Sequence, residues 1–330
     1  MAPSISFIIP TYNAAFYIER CLKSIRAQDY PAEKIEIIIA DGGSIDNTLD
    51  FARNYNCRII HNKKRLAEYG LQLGVQNAAG EFLVPFAADN ELVGRDWAQK
   101  VVDTFLANKE ISAVWGRLIS GPADSSLNKY FELIQSDPLS WFLNKNLDKY
   151  KAKSRIYRKD CFIFRVSPKE PLVWGANGIV YKSRNLKAIW AQEGYLGDND
   201  AFQYMIEQGN DTVAYFASAF TYHHHVATIR DWIKKWKRNY KLHFLDKLNT
   251  RNLGWVFLPN FKSRLILWLF YSLCPVFSGF HSLYLALRKR NIYWLYHPFV
   301  SFLQTVVYAY ITITTKEGRG LLRKEGLCIF

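Results

Sequence analysis

A carboxylate cluster follows directly on a short apolar segment in the first third of the chain. The run Phe82–Phe86 is followed, after two alanines, by Asp89-Asn90-Glu91. A buried strand that ends in carboxylates places hard oxygen ligands at the carboxyl edge of a sheet, where open α/β folds bind their ligands. Mg²⁺ or Mn²⁺ held there by carboxylates and substrate phosphates is a common arrangement. A strand followed by a solvated acidic turn has the same pattern, so these residues alone leave both interpretations open.

Two further polar segments follow apolar runs in the same way. Thr11-Tyr12-Asn13 follows the run that ends in Pro10, and Asp41-Gly42-Gly43-Ser44 follows Ile35–Ala40. The ring of Tyr12 could stack on a nucleotide base, and the two glycines allow a ligand to approach the backbone closely. Arg65 could reach a phosphate. The alternatives are packing for Tyr12, a turn role for Asp41 and a solvated basic turn for Arg65.

Two groups late in the chain carry further titratable chemistry. Asp198 and Asp200 stand where a helix is predicted to begin, and a plain helix cap is one interpretation of either. Tyr222-His223-His224-His225 follows a predicted strand, and a neutral imidazole there is a good metal ligand. At most one or two of the three histidines can point inward. We favour His224, with His223 and His225 close behind, and a structural role is the alternative for each of the three.

Strands and helices alternate along the first part of the chain. The predicted strands are Ile5–Pro10, Ile35–Ala40, Cys57–His61, Glu81–Phe86, Ile111–Leu118 and Thr212–Phe220. The predicted helices include Ala14–Gln28, Leu49–Asn54, Leu66–Ala79 and Trp97–Leu106. This alternation predicts an α/β fold with a mostly parallel sheet and right-handed crossovers. The polar loops named above then meet at one edge of that sheet.

The ordered motifs resemble the signature of family 2 glycosyltransferases over roughly the first 225 residues. The motifs that carry the resemblance are Pro10-Thr11-Tyr12-Asn13, Asp41-Gly42-Gly43-Ser44-Ile45-Asp46-Asn47-Thr48 and Ala88-Asp89-Asn90. The resemblance implies a GT-A fold (Rossmann-like), a nucleotide-sugar donor, inversion at the anomeric carbon and a divalent metal, Mn²⁺ or Mg²⁺.

The resemblance also implies roles for individual residues. The donor-binding residues would be Pro10, Thr11, Tyr12, Asn13, Asp41, Gly42, Gly43, Arg65, Ala88 and Asp89. Asp41 would accept a hydrogen bond from a base N–H, and Asp89 matches the last residue of the family's D-x-D motif. Ala87 stands where the first aspartate of that motif is usual, so Glu91 and His224 are candidates to complete the metal shell with Asp89.

The same resemblance places the acceptor and the base in the middle of the chain. Trp174, Gly175, Ala176 and Asn177 match a small-residue segment that lets acceptor and donor sugar approach closely. Asp198 falls on the base position and Asp200 is its neighbour, and the choice between them stays open because Gly197 replaces an expected carboxylate. Residues 120–170 lose periodicity and become basic, which predicts an acceptor-side binding loop or a solvated basic surface.

Composition and the C-terminal part indicate a membrane enzyme. The formal net charge is +14, and the five cysteines show no zinc spacing or disulfide framework. Asp231–Lys241 predicts a basic amphipathic helix with tryptophans, either in the membrane interface or packed on the catalytic domain. Leu265–Leu287 and Ile292–Thr315 contain no Asp, Glu, Lys or Arg and predict a membrane-embedded hairpin that spans or is re-entrant. Buried helices of a soluble protein are the alternative.

These observations predict three regions: a catalytic domain over 1–225, an interface helix and linker over 226–260, and a membrane hairpin with a basic tail over 261–330. No secretory signal is visible, so the catalytic domain is expected on the cytoplasmic face of the cell membrane. The predicted activity is transfer from a nucleotide sugar, with a preference for UDP over GDP, to a polyprenyl-linked acceptor, without nucleic acid. A non-catalytic nucleotide-sugar or lipid-binding protein on the same scaffold is the alternative, and a nucleotidyltransferase ranks lower because its glycine-rich, lysine-bearing phosphate loop is absent.

Overall fold

The computed structural model describes residues 2–143, 146–170, 172, 177–190, 197–247 and 260–324. The chain divides into two compact units. Unit 1 comprises Met1–Gly121 and Asn146–His223, and unit 2 comprises Pro122–Lys145 and His224–Phe330. The prediction of one continuous domain over 1–225 is therefore corrected, because segment 122–145 packs with the C-terminal part of the chain.

Unit 1 is built on a sheet with ten strands in the described residues. They are β1 (Ile5–Thr11), β2 (Ile35–Asp41), β3 (Arg58–His61), β4 (Phe82–Pro85), β5 (Asn90–Leu92), β6 (Ala113–Ile119), β7 (Arg155–Tyr157), β8 (Cys161–Arg165), β9 (Val180–Lys182) and β10 (Thr212–His223). The strand order is β3-β2-β1-β4-β9-β6-β10-β8-β7, with β5 paired to β10.

The α-helices of both units are numbered together in chain order. They are α1 (Ala15–Arg26), α2 (Thr48–Asn54), α3 (Ala67–Asn77), α4 (Trp97–Ala107), α5 (Ser126–Ile134), α6 (Pro138–Leu143), α7 (Asn146–Ala152), α8 (Ser183–Trp190), α9 (Asp198–Glu207), α10 (Ile229–Asn239), α11 (Phe261–Leu273), α12 (Pro275–Arg288), α13 (His297–Thr314) and α14 (Lys316–Lys324). Short 3₁₀ turns occupy Ala32–Lys34, Leu245–Lys247 and Ile292–Tyr296, and a π-helical turn occupies Tyr240–Phe244.

The direction of the strands brings the polar loops together. β1 pairs parallel with β2 and β4, β2 pairs parallel with β3, and β6 pairs parallel with β10. β9 is antiparallel to both β4 and β6, so β4 and β6 run the same way. The carboxyl ends of β1, β2, β4 and β10 therefore share one edge, which confirms the predicted α/β fold with its N-terminal parallel half.

The region 120–170 was predicted to be irregular, and the structure corrects this. It contains α5, α6, α7 and the antiparallel pair β7–β8. The hydroxyl of Ser125 caps α5 by accepting from the Asn128 N–H at 3.1 Å. Each element is only three to nine residues long, which is too short for a clear periodicity in the sequence.

Helix α10 packs inside unit 2 by its aromatic face. Trp232 is buried, and its ring centroid lies 6.0 Å from that of Phe131 on α5. Trp236 lies 5.6 Å from Tyr308 on α13. The prediction that this face lies in the membrane interface is therefore wrong for these aromatics, because other aromatic side chains of unit 2 cover them.

Helices α11, α12 and α13 bury many polar side chains and expose large apolar ones. Their buried polar or small side chains are Ser272, Ser278, Ser282, Ser301, Gln304 and Thr305, beside the apolar Trp268, Leu285, Val300, Val307 and Ile311. Their outer faces expose large apolar side chains, among them Phe270, Leu273, Phe277, Phe280, Phe302 and Ile313. The Thr305 hydroxyl donates to the Ser272 hydroxyl at 2.8 Å, and the Ser282 hydroxyl donates to the Trp294 carbonyl at 2.6 Å.

The expected span Leu265–Leu287 is two helices, α11 and α12, bent by 86° at Cys274–Pro275. Proline stands at the first position of α12, where its missing N–H is tolerated. Within the described ranges, no single helix is long and apolar enough to cross a membrane, and this bent pair meets the length and composition criteria only when taken together.

Candidate active site

Asp41 organises the turn that follows β2. The carboxylate is 3% exposed. Its Oδ1 accepts from the hydroxyls of Thr11 at 2.8 Å and Ser44 at 2.5 Å, and its Oδ2 accepts from the backbone N–H groups of Gly43 at 2.7 Å and Ser44 at 2.8 Å. Burial raises the pKa of this carboxyl, but the four hydrogen bonds outweigh burial and hold the pKa below its ordinary value. All four acceptor positions are therefore used within the turn.

These four hydrogen bonds restrict the predicted contact between Asp41 and a nucleotide base. A base N–H could bond to this carboxylate only if one of the four donors left. The Thr11 and Ser44 hydroxyls can rotate away without any movement of the backbone, whereas the two N–H groups cannot. Asp41 thus shapes the turn through four hydrogen bonds, two of which can be exchanged for contacts to a ligand.

Tyr12 and Arg65 form an exposed pair beside that turn. The Tyr12 ring is 53% exposed, and the Arg65 guanidinium lies 5.6 Å from its centroid. A Cβ on Gly42 would lie 3.4 Å from Tyr12 Cδ2, and one on Gly43 would lie 3.6 Å from Arg65 Nη2. Gly43 also has a φ of +88°, which favours glycine. The two glycines therefore keep the backbone open beneath an aromatic ring and a cation.

Asn13 joins the loop after β1 to the loop after β2. Its backbone N–H donates to the Ser44 hydroxyl at 2.8 Å, and its side-chain Oδ1 accepts from the Ile45 N–H at 2.9 Å. The Ala14 N–H donates to the Thr48 hydroxyl at 2.7 Å. These contacts fix the two predicted donor loops against each other. Pro10 is the next-to-last residue of β1, just before the first of these loops, and is half-buried.

The turn that carries Asp89 is held by Asn177. Asn177 Oδ1 accepts from the Ala87 N–H at 3.0 Å, and its Nδ2 donates to Asn90 Oδ1 at 3.0 Å. Across the turn, the Asn90 N–H donates to the Ala87 carbonyl at 3.2 Å. Asn177 was predicted to bind the acceptor. The structure shows it as the clamp of the Ala87–Asn90 turn, while its predicted partners Trp174, Gly175 and Ala176 lie outside the described residues.

The Cys21 thiol also contacts this turn. Its Sγ lies 3.8 Å from the Ala87 carbonyl oxygen. Burial, together with the nearby Asp89 carboxylate, raises the pKa of Cys21 well above its ordinary value. The residue therefore remains a protonated thiol and can donate to the carbonyl.

His223 is the histidine that faces Asp89. Strand β10 pairs antiparallel with β5 so that His223 stands opposite Asn90, and the His223 Nε2 lies 3.8 Å from Asp89 Oδ2. In the sequence, Ala88 stands between Ala87, whose N–H bonds to Asn177, and Asp89, and its side chain has no polar group. Glu91 lies instead 3.4 Å from the Nε of Arg20. Of the predicted metal ligands in unit 1, Asp89 thus has an imidazole partner and Glu91 has a guanidinium partner.

His224 and His225 belong to the packing of unit 2. The His224 Nδ1 lies 2.6 Å from Asp124 Oδ1, and Asn128 Nδ2 donates to the other oxygen of Asp124 at 2.6 Å. The His225 N–H donates to Asn128 Oδ1 at 3.1 Å. The structure therefore gives His223, and not the favoured His224, the place beside Asp89.

The fit of a divalent cation follows from these contacts. Among the residues that the structure describes, no group of three or more His, Cys, Asp or Glu side chains is placed to hold a metal ion. Asp89 and His223 offer one carboxylate and one imidazole, both partly exposed. Mg²⁺-type ions are commonly held by one or two carboxylates, with substrate phosphates and water completing the shell. The residues present fit a cation bound together with a diphosphate.

Asp200 caps helix α9. It is fully buried, and its Oδ2 accepts from the backbone N–H of Gly197 at 2.9 Å. A buried carboxylate that holds a helix end is poorly placed to meet an acceptor hydroxyl. Asp198 is the first residue of α9, and the position of its side chain lies outside what the structure describes.

Comparison with known proteins identifies the family of this chain. Residues 6–168 match the model of glycosyl transferase family 2. A Methanococcus voltae dolichyl N-acetyl-α-D-glucosaminyl phosphate 3-β-D-2,3-diacetamido-2,3-dideoxy-β-D-glucuronosyltransferase is 34% identical over 146 residues, which is 41% of this chain and 45% of the relative. Glycosyltransferase AglE of Haloferax volcanii is 31% identical over 108 residues, 31% of this chain and 35% of the relative. The chain belongs to glycosyl transferase family 2, and its matches span less than half the length of these relatives.

A solved structure supports the fold. A mannosyltransferase from Pyrobaculum calidifontis, determined with GDP-mannose and Mn²⁺, superposes with a TM-score of 0.51 at 17% identity. The superposition covers 100% of this chain and 81% of that chain. At this identity the likeness shows the GT-A-like α/β fold and nothing about the substrate.

Proposed function

We propose that the protein is a membrane-bound, metal-dependent, inverting glycosyltransferase. It moves a sugar from a nucleotide donor, with UDP as the preferred nucleotide, to a polyprenyl phosphate or diphosphate-linked acceptor at the cytoplasmic face of the membrane. The observation that carries the proposal is the grouping, at one edge of the sheet in unit 1, of the Asp41 turn, the Tyr12–Arg65 pair and the Asp89–His223 pair.

The donor half of the proposal rests on the chemistry of that edge. Tyr12 supplies an exposed ring for a base, Gly42 and Gly43 let the backbone approach, and Arg65 supplies a positive charge for a phosphate. Asp89 and His223 would hold the divalent cation. A cation bound there would neutralise the diphosphate and so stabilise the departing nucleotide.

The transfer step requires a base on the acceptor side. In the proposed reaction the acceptor oxygen forms a bond to the anomeric carbon, the bond from that carbon to the diphosphate breaks, and the acceptor proton goes to a carboxylate. Asp198 is the proposed base. The family resemblance implies a base among the carboxylates at this helix start, and Asp200 is already engaged with the Gly197 N–H, which favours Asp198.

Two observations support a polyprenyl-linked acceptor. The Methanococcus voltae relative is named for a dolichyl-linked phosphate acceptor. The exposed apolar faces of α11, α12 and α13 suit a lipid environment, where polyprenyl-linked acceptors reside. The basic residues of segment 120–170 remain a proposed contact for acceptor phosphate.

Nucleotide binding tests the proposal directly. Detergent-purified protein is titrated with UDP, GDP, CDP and ADP, with and without Mn²⁺, and D89A is compared with wild type. D50A, which removes an exposed carboxylate on α2, is the matched control. We expect Mn²⁺-dependent binding of one nucleotide that is lost in D89A and kept in D50A. Folded wild-type protein that binds none of the four with Mn²⁺ present would refute the donor site.

A non-catalytic binding protein is the second candidate. Ala87 and Gly197 stand where carboxylates were expected, and this favours a scaffold that binds without turnover. Release of UDP from UDP-sugars in the presence of polyprenyl phosphate separates the two. Turnover by wild type that D198N abolishes excludes the non-catalytic candidate, whereas tight nucleotide binding without turnover toward any donor supports it.

A further inference from the structure

The helix pair α11–α12 has its charges at its two open ends and its apolar surface at the bend. Lys262 and Arg264 lie in the first turn of α11, and Arg288 ends α12. No Asp, Glu, Lys or Arg occurs between them, over residues 265–287. The side chains around the bend are apolar and exposed, with Phe270, Phe277 and Phe280 at 68%, 65% and 71%. Both ends therefore suit anionic headgroups, and the bend suits hydrocarbon.

The dimensions of the pair fit one leaflet. Helices of 13 and 14 residues are about 20 and 21 Å long. With a bend of 86° between them, the bend lies about 14 Å from the line that joins their far ends, close to half of a hydrocarbon core about 30 Å thick. With both charged ends at one interface, the bend would reach the middle of the bilayer.

The packing of α13 argues against a hairpin that crosses the membrane. If the basic turn after α12 lay on the far side, α13 would have to cross back. Gln304, in the middle of α13, donates to Asp137 Oδ1 at 2.7 Å and accepts from the Leu139 N–H at 2.9 Å. A crossing α13 would thus carry the Asp137 carboxylate to the centre of the bilayer, where a charge is costly.

We propose that α11 and α12 form a re-entrant wedge that enters and leaves the same leaflet, with its apex at Leu273–Phe277 in the hydrocarbon. The occupant of the exposed apolar face is the acyl region of an anionic lipid bilayer. This inference rests on the membrane-bound part of the proposed function. It deepens that part by placing both ends of the pair at the cytoplasmic face of the membrane.

Site-specific labelling tests the wedge in the full-length protein. The two half-buried native thiols, Cys57 and Cys274, and the thiol of Cys328 are first removed as C57S, C274S and C328S. Single reporters are then introduced as S263C before the apex, V276C at the apex, K289C after it and E33C in unit 1, all at exposed positions. The protein is reconstituted into sealed vesicles of phosphatidylcholine and phosphatidylglycerol and treated from outside with a membrane-impermeant maleimide.

The wedge predicts that the maleimide reacts with S263C, K289C and E33C to the same extent. All three reporters then face the same side of the membrane, whichever way the protein is inserted into a vesicle. V276C labels only after detergent is added. A fluorophore attached at V276C is quenched most by lipids brominated near the end of the acyl chain, and one attached at S263C or K289C is quenched most by lipids brominated near the headgroup.

Three outcomes would overturn the wedge. K289C could label only from the side opposite to E33C, which would establish a spanning hairpin. V276C could label fully without detergent, which would leave the apex in water. The protein could also fail to float with vesicles and form a stable oligomer without detergent, which would show that a second copy covers the apolar face. Mn²⁺-dependent nucleotide binding is measured in the same samples, so failure of the wedge is distinguished from failure of the proposed donor site.

Discussion

Asn177 is the residue whose side chain ties the Asp89 turn to the rest of unit 1. N177A would leave the Ala87 backbone N–H and the Asn90 side-chain Oδ1 without this partner. We expect this to lower the free energy of unfolding by about 1–3 kcal/mol. We expect weaker Mn²⁺-dependent nucleotide binding, because Asp89 is no longer held, while the nucleotide affinity without metal changes little. Titration calorimetry measures both affinities.

The matched control for that experiment is N54A, an exposed asparagine at the end of α2. If N177A binds nucleotide and Mn²⁺ like N54A and wild type, then the clamp does not position Asp89. The contact would in that case serve stability alone.

The two neighbouring histidines are predicted to differ in their effects. H223A removes the imidazole beside Asp89 and should weaken Mn²⁺-dependent nucleotide binding by about tenfold or more, since loss of a direct or supporting ligand contact commonly costs this much. H224A removes the partner of Asp124 in unit 2 and should lower thermal stability with little change in nucleotide affinity. Binding by calorimetry and unfolding by differential scanning fluorimetry are measured on both variants. The reverse pattern would restore His224 as the metal ligand.

The pKa of Asp41 implies a specific dependence of stability on pH. Its folded pKa lies below the ordinary value of 3.8, so the ionised form is favoured by folding. The stabilisation is complete well above 3.8 and is lost as the pH falls below 3.8 toward the folded pKa. In D41N the amide can accept from the backbone N–H groups and donate to the Thr11 and Ser44 hydroxyls, so mainly the charge is removed.

We therefore expect the stability gap between wild type and D41N to be constant from pH 7 to 5 and to shrink as the pH falls below 4. D41A, which leaves the Gly43 and Ser44 N–H groups without an acceptor, should lose about 1–3 kcal/mol at pH 7. Urea unfolding across the pH series measures both quantities. A gap that widens in acid would contradict the depressed pKa.

Sequence patterns located the strand-end residues of the site but not their partners. Asp41 and Asp89 follow short apolar runs, so their common edge could be predicted from the alternation of strands and helices. Asn177 contacts the turn from 90 residues away, and no local pattern contains that information. The sequence could not rank His223 above its neighbour His224, because the register of β10 with β5 decides which histidine faces Asp89, and β10 continues to His223, beyond the predicted strand end at Phe220.

At the scale of single elements, the start of α9 separates a capping carboxylate from the proposed base. D200A removes the acceptor for the Gly197 N–H and should destabilise the protein by about 0.5–2 kcal/mol, as the loss of a helix cap does. D198N should leave the melting temperature unchanged and lower turnover by about 10²-fold or more, since general base catalysis contributes that much. Unfolding and UDP release are measured on both. Full turnover by D198N would remove Asp198 from the proposed mechanism.

Helices with a clear helical spacing of apolar residues could be predicted from the sequence. The short helices of residues 122–152 and the break at Pro275 could not. Helix α1 lies within the predicted helix Ala14–Gln28 and buries Ile18, Cys21, Leu22 and Ile25 at helical spacing, whereas Phe16 is exposed. The short helices α5 to α7 have no comparable pattern. Composition predicted a membrane-embedded segment over residues 265–287 that spans or is re-entrant, and it could not give the angle of 86° between the two helices that meet at Pro275.

At the scale of the whole molecule, the two units interleave along the chain. Unit 2 takes segment 122–145 from between two parts of unit 1, and helix α5 of this segment buries Leu127, Phe131 and Ile134 in the core of unit 2. A chain cut after His223 would retain this segment but lose the rest of unit 2. These three side chains would then face water, and the lost burial would together cost about 4.5–9 kcal/mol at the usual value per side chain.

We therefore expect truncation after His223 to give an aggregating protein, although the whole of unit 1 is present. A second variant with the same truncation, in which residues 122–145 are also replaced by a flexible glycine and serine linker, should be monomeric in the absence of detergent. It should still bind nucleotide with Mn²⁺, because the Asp41 turn, the Tyr12–Arg65 pair and the Asp89–His223 pair all belong to unit 1. Size-exclusion chromatography and nucleotide titration compare the two. Equal solubility of both variants would show that segment 122–145 does not depend on unit 2, and a soluble linker variant that binds no nucleotide would show that unit 1 alone does not form the donor site.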